Sequence, residues 1–161
     1  MADPPHILLF LKSFATGGVE RTALRMVHEW RAMGLPVTLW LAQDSGTMRG
    51  EFRGGLMPVV AHKDGMLARI SHLSRTIRDV RPDVIYCAGN TYAIYAAAVR
   101  VRLGRQCPPI AIKISNDLER HDMNAGVRWG YHRWMGLQGR LFDHFVAMSD
   151  ALRPEIERYA G

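Results

Sequence analysis

Apolar residues arrive along this chain in two rhythms. Short, nearly continuous runs occur at residues 6–11 (His-Ile-Leu-Leu-Phe-Leu), Pro36–Ala42, Pro58–Ala61, Asp83–Cys87, Pro109–Ser115 and Phe142–Met148. Each has the length and composition of a strand buried on both faces. Between them the spacing changes to three and four. Residues 19, 23, 26, 27, 30 and 33 define one helix face that ends at Gly34, and Met66, Ile70, Leu73, Ile77 and Val80 define another, stopped by Arg81-Pro82. An alanine-rich segment opened by Asn90-Thr91 runs to Gly104, residues 126–141 form a further helix, and Ser149-Asp150 opens a last one to Tyr159. Strands alternating with helices or short connections predict an α/β fold: a Rossmann-like, doubly wound parallel sheet in three layers, one domain over residues 1–161.

Composition narrows the classes. With 161 residues, 48% hydrophobic and 22% charged, the chain can bury a sizeable core and is not a disordered segment. Its longest fully apolar run is Tyr92–Val99, far short of the ~20 residues that cross a bilayer. The first residues, Met-Ala-Asp-Pro-Pro, lack a basic leader, and the two cysteines, Cys87 and Cys107, form neither a disulfide framework nor a zinc pattern. These features predict a cytoplasmic protein. The net charge is +6 and the pI near 9.8, but the arginines are spread rather than clustered. A nucleic-acid binder would rest on that pI alone, without the aromatic and basic platform that single strands require.

The candidate chemistry begins where the first strand meets the first helix, at Lys12–Arg21, through the pair Gly17-Gly18. Two glycines there reach backbone angles other residues avoid and let a ligand approach the main chain. The free N–H groups of the following helix face that ligand, and a phosphate suits them. Neither the G-x-G-x-x-G nor the P-loop pattern is present. In an open parallel sheet, ligands sit beyond the carboxyl ends of the strands. Besides the glycine turn, that rule gathers Asn90, Thr91, Ser115, Asn116, Asp117, Arg120, His121 and Ser149, a set suited to a hydroxyl-rich or phosphorylated ligand.

Taken in order, Gly17-Gly18-Val19-Glu20-Arg21, "MGLPVTLWLA" (33–42), "RPDVIYCAGNTYAIYAA" (81–97), "ISNDLERHD" (114–122) and "FVAMSDALRPEIERYAG" (145–161) resemble the N-terminal domain of retaining GT-B-fold glycosyltransferases of the group 1 type, family 4. The resemblance covers nearly the whole chain. It implies an acceptor-binding domain whose C-terminal partner domain holds the nucleotide-sugar and carries a Glu-x7-Glu motif, a spacing absent here. The chain would then be half an enzyme, inactive alone: an isolated domain or a truncated product. The implied co-substrate is a nucleotide-sugar, with no further cofactor and no obligatory metal, and the implied acceptor is a glycan or a lipid-linked sugar, as in cell-envelope polysaccharide assembly. Gly17 and Gly18 match the family's glycine loop near the donor diphosphate. The family's histidine after the fifth strand is replaced by Ser115-Asn116-Asp117, so Asp117 is expected to orient or deprotonate the acceptor hydroxyl, with His121 as substitute.

Simpler readings stand beside these. Asp117 suits a local turn, Asn90-Thr91 and Ser149 suit helix caps, His121 suits a solvated loop, and Glu20 is explained by the helix dipole. Trp129 to Met135, with Arg128 and Arg140, mixes aromatics and cations as membrane-surface helices do, which would place the protein peripherally on the inner membrane face. The plainer expectation is that Trp129 and Trp134 cover the sheet. The competing functional class is a stand-alone Rossmann-like module that binds a nucleotide or phosphorylated metabolite at the same glycine turn.

Overall fold

The computed structural model describes residues 3–50, 52, 56–61, 64–115 and 117–160. Six strands form one all-parallel sheet: β1 (Ile7–Leu11), β2 (Val37–Leu41), β3 (Val59–Val60), β4 (Val84–Cys87), β5 (Ile110–Ile114) and β6 (His144–Ala147), in the order β3-β2-β1-β4-β5-β6. Every residue of β1 is buried, as expected for a central strand covered on both faces. The helices are α1 (Gly18–Ala32), α2 (Met66–Val80), α3 (Ala93–Leu103), α4 (Ala125–Leu141) and α5 (Arg153–Ala160). This is the doubly wound, three-layer arrangement the sequence predicts.

Strand register decides which side chains share a face. Leu9 pairs with Leu39 and Tyr86, and Tyr86 meets α1 through Trp30, ring centroids 5.1 Å apart, and Met26. Phe10 pairs with Trp40 and Cys87 on the other face, where the Trp40 indole donates to His72 of α2 at 3.0 Å. Right-handed crossovers produce this division, with α1 on one side and α2, α3 and α4 on the other.

The direction of winding reverses between β1 and β4, whose neighbours in sequence lie on opposite sides of the sheet. The loops after these two strands therefore separate and leave a crevice at their carboxyl ends. The loop after β1 is clamped by the loop after β2: Gln43 N–H donates to Lys12 O (2.9 Å), Phe14 N–H to Ser45 O (2.8 Å) and Met48 N–H to Phe14 O (3.1 Å). Gly46 permits this approach. Its φ is +123°, and a Cβ there would lie 2.2 Å from the Phe14 carbonyl oxygen.

Several local expectations change. The alanine-rich helix begins at Ala93 after a 3-10 turn at Asn90–Tyr92 with no side-chain cap; the Asn90 side chain instead donates through Nδ2 to Tyr131 of α4. Ser149 likewise makes no side-chain cap; a 3-10 turn at Asp150–Leu152 precedes α5. Met33, expected on the buried face of α1, is its C-terminal cap and 74% exposed. Trp134 packs half-buried against the core, whereas Trp129 faces solvent at 68% exposure and covers no part of the sheet.

Candidate functional site

Gly17 and Gly18 stand at the crevice, at the N-terminus of α1, but their backbone is ordinary: Gly17 has φ −65°, and Gly18 is the first helical residue. The expectation of unusual angles is therefore corrected. What Gly17 supplies is space. A Cβ there would fall 2.0 Å from Glu20 Oε2, so the Glu20 carboxylate rests on the bare Cα of the turn. Three residues past the N-cap, an acid can fold back over the first turn, where the helix dipole favours it. Gly18, by contrast, has nothing within 4 Å of its Cβ position.

The carboxylate is fixed from the other side of the crevice. Tyr92, 4% exposed at the end of the β4 loop, donates its hydroxyl to Glu20 Oε1 at 2.5 Å and accepts from Lys12 N–H at 3.3 Å. Burial and the adjoining carboxylate both push the Tyr92 phenol well above its usual pKa, so it remains a donor. The loops after β1 and β4 are thus joined by one hydrogen-bonded chain.

A second chain joins β4 to the loop after β5. Asn90 Nδ2 donates to the Tyr131 hydroxyl of α4 at 3.1 Å, while Asn90 Oδ1 is buried with no hydrogen-bond partner among the described residues. The Arg120 guanidinium lies 5.6 Å from the centre of the Tyr131 ring and grips Asp122 through two bonds of 2.9 and 2.8 Å. Arg120 adopts φ +51°, a left-handed conformation that turns the loop back over α4. The same loop is tied down through Leu118. Its N–H donates to Glu155 Oε2 (2.7 Å), and its carbonyl accepts from His132 Nε2 (3.0 Å), whose ring stacks on Tyr159 at 4.0 Å.

Of the expected site residues, Gly17, Asn90 and Arg120 are built into these two chains. Asp117 is exposed and accepts from Glu119 N–H at 2.8 Å, closing the local turn of the simpler reading. His121 is 74% exposed and donates to Glu119 Oε2 at 2.8 Å. Thr91 and Ser149 are exposed, and Asn116 lies outside the described residues. Tyr92 opens an apolar run and Tyr131 sits in a surface stretch, so neither carries a local sign of its site contacts. Glu20, explained above by the helix dipole, has a further signal in its position three residues after Gly17, which is capping-box spacing.

The polar groups gathered at the switch point stand where open α/β sheets bind their ligands. The chain belongs to Glycosyltransferase Family 4, whose profile matches residues 16–161. Among curated proteins no sequence relative matches. Solved structures share the fold: Anabaena Alr3699/HepE in complex with UDP-glucose has a TM-score of 0.70 at 16% identity over 98% of this chain and 41% of its own. A lipopolysaccharide outer core galactosyltransferase, WaaB, has a TM-score of 0.62 at 13% identity over 97% and 42%. A putative UDP-N-acetylglucosamine 2-epimerase from Listeria monocytogenes has a TM-score of 0.64 at 11% identity over 99% and 42%. The chain thus spans about two-fifths of these proteins, as the N-terminal domain of a GT-B protein does.

Proposed function

We propose that this chain is the acceptor-side half of a retaining glycosyltransferase that moves a hexose from a nucleotide-sugar to a hydroxyl acceptor and is inactive without its C-terminal, donor-binding domain. The observation that carries the reading is the switch-point crevice, with its hydrogen-bonded chain from Lys12 through Tyr92 to Glu20 and its Asn90–Tyr131–Arg120 contacts, in a chain whose family is Glycosyltransferase Family 4. Asn90 Oδ1 is buried, so it would accept from a sugar hydroxyl only once the loop after β4 opens, while Arg120 supplies positive charge at the same rim. Charge on the leaving diphosphate would be met by the first-turn amides of α1 and by basic side chains, not by a metal. The Glu20 carboxylate rests against Gly17 at the head of that helix, so a donor diphosphate arriving there would displace it as the two domains close. Asp117 or His121 would orient the acceptor hydroxyl once released from the bonds to the Glu119 backbone and side chain.

The donor class follows HepE, solved with UDP-glucose, and an envelope-polysaccharide acceptor follows WaaB, which acts on lipopolysaccharide outer core. Both fit a cytoplasmic protein; among the described residues no helix is long and apolar enough to cross a membrane. Calorimetric titration with UDP-glucose separates this reading from a stand-alone binding module. The transferase reading expects the chain alone to bind at least ~100-fold more weakly than the two-domain polypeptide, a loss of about 2.7 kcal/mol. Equal, tight binding by the chain alone would move the module reading to first place.

A further inference from the structure

The loop after β5 has two sides. Arg120 and Asp122 pair beside Tyr131 at the crevice, whereas Glu119 turns toward α5, with Oε1 3.5 Å from Arg158 and Oε2 2.8 Å from His121 Nε2. On that second side the loop, α4 and α5 enclose an open pocket of about 420 Å³, lined by Glu119, His121, Arg128, His132, Arg158 and Tyr159. Small-molecule sites commonly span ~300–1,000 Å³, so the pocket has room for a metabolite. Its charge is one-sided. Two guanidiniums and two imidazoles face a single carboxylate, and the half-buried Arg128 makes no side-chain hydrogen bond or ion pair among the described residues. Glu155, the nearby acid of α5, is turned to the Leu118 N–H instead.

We infer that this pocket binds a small phosphate monoester. The Glu119 carboxylate marks the place, since one anionic group already draws His121 and Arg158 together while Arg128 is left over. A phosphate dianion offers three oxygens, and the paired N–H groups of a guanidinium match its edges. His132 and Tyr159, stacked at 4.0 Å, form a flat wall for the remainder of the ligand. The incoming phosphate would take Arg158 and His121 from Glu119, whose side chain is 38% exposed and can turn into solvent. Occupancy would thereby loosen the loop that rims the crevice. The binding does not rest on the transferase reading, since it involves neither donor nor turnover.

The test is calorimetric titration of the chain with glucose 6-phosphate, with glucose as the uncharged control. Saturable binding of the phosphate ester and none of glucose is expected. Arg128→Gln should weaken it about 10- to 100-fold, the worth of a hydrogen bond between charged groups, and Arg158→Gln should weaken it as well. Glu119→Gln should tighten it roughly two- to fivefold, because Arg158 and His121 lose a competing exposed partner. Arg75→Gln, exposed on α2 and equal in charge change to the arginine variants, should leave binding intact. Circular dichroism checks that each variant is folded. No saturable binding at millimolar ligand, equal effects of Arg128→Gln and Arg75→Gln, or weaker binding by Glu119→Gln would overturn the inference.

Discussion

Replacing Gly17 by alanine tests the best-defined interaction of the crevice. The new Cβ would stand 2.0 Å from Glu20 Oε2 and 3.1 Å from its Cδ, so the carboxylate must leave. Because it ends a flexible side chain, the steric cost is small. The larger cost is the 2.5 Å bond from the Tyr92 hydroxyl, a charge-assisted donor contact at a nearly buried phenol. Bonds to charged groups contribute ~1.5–3 kcal/mol, and Glu20 is only half-buried, so Gly17→Ala should destabilise by about 1–1.5 kcal/mol. For a chain of this size that lowers Tm by roughly 2–6 °C. Gly18→Ala, inside the helix and facing open space, should be neutral or stabilising by up to ~1 kcal/mol. Denaturant melts of Gly17→Ala, Glu20→Ala and the double variant close a cycle. In the Glu20→Ala background the Gly17 substitution should cost almost nothing. Equal effects at Gly17 and Gly18, or a Gly17 cost unchanged without Glu20, would refute the argument that Gly17 is there to seat the carboxylate.

Other outcomes follow from the same geometry. Gly46→Ala combines φ +123° with a Cβ 2.2 Å from the Phe14 carbonyl oxygen, and should cost about 2–3 kcal/mol in urea melts while loosening the loop after β1. Gly139→Ala would place a methyl 1.8 Å from the Ala160 carbonyl oxygen, so hydrogen exchange at Arg153–Ala160 should lose protection well before the sheet does. Burial pushes the Cys87 thiol up from 9.0 to about 12, so the folded state keeps its proton after the unfolded state has lost it. That contribution is complete below pH ~9 and is lost as pH rises toward ~12, so stability should fall by roughly 1–2 kcal/mol between neutral pH and pH ~10.5. Cys87→Ala should flatten that alkaline slope in melts recorded across the range, and an unchanged slope would assign it to other groups such as Tyr86.

The fold was legible in this sequence because β1, β2, β4 and β5 are short runs buried from both sides, although the edge strand β6, with the same apolar look, is half exposed. Helix α2 spans Met66–Val80, the span its apolar spacing marks, with Arg81 at φ +50° ending it before Pro82. The glycine turn was legible as a place but not as a reason: a Gly-Gly pair looks the same whether it needs a rare φ or room for a carboxylate. Asn90 read as a cap because its partner, Tyr131, lies 41 residues away, a distance no local pattern reaches. The misplacement of Trp129 had a physical signal in reach. Residues five apart on a helix differ by about 140° around its axis, so Trp129 and Trp134 cannot cover the same sheet.

Turnover by the two-domain polypeptide tests the central claim most directly. Incubated with UDP-glucose and a panel of sugar and lipid-linked acceptors, it should release UDP and form a glucoside whose anomeric configuration, read by NMR, matches that of the donor. Glu20→Gln should alter KM for the donor far more than the fold. Neither transfer nor donor hydrolysis across a broad panel of nucleotide-sugars, from a folded two-domain protein, would contradict the assignment.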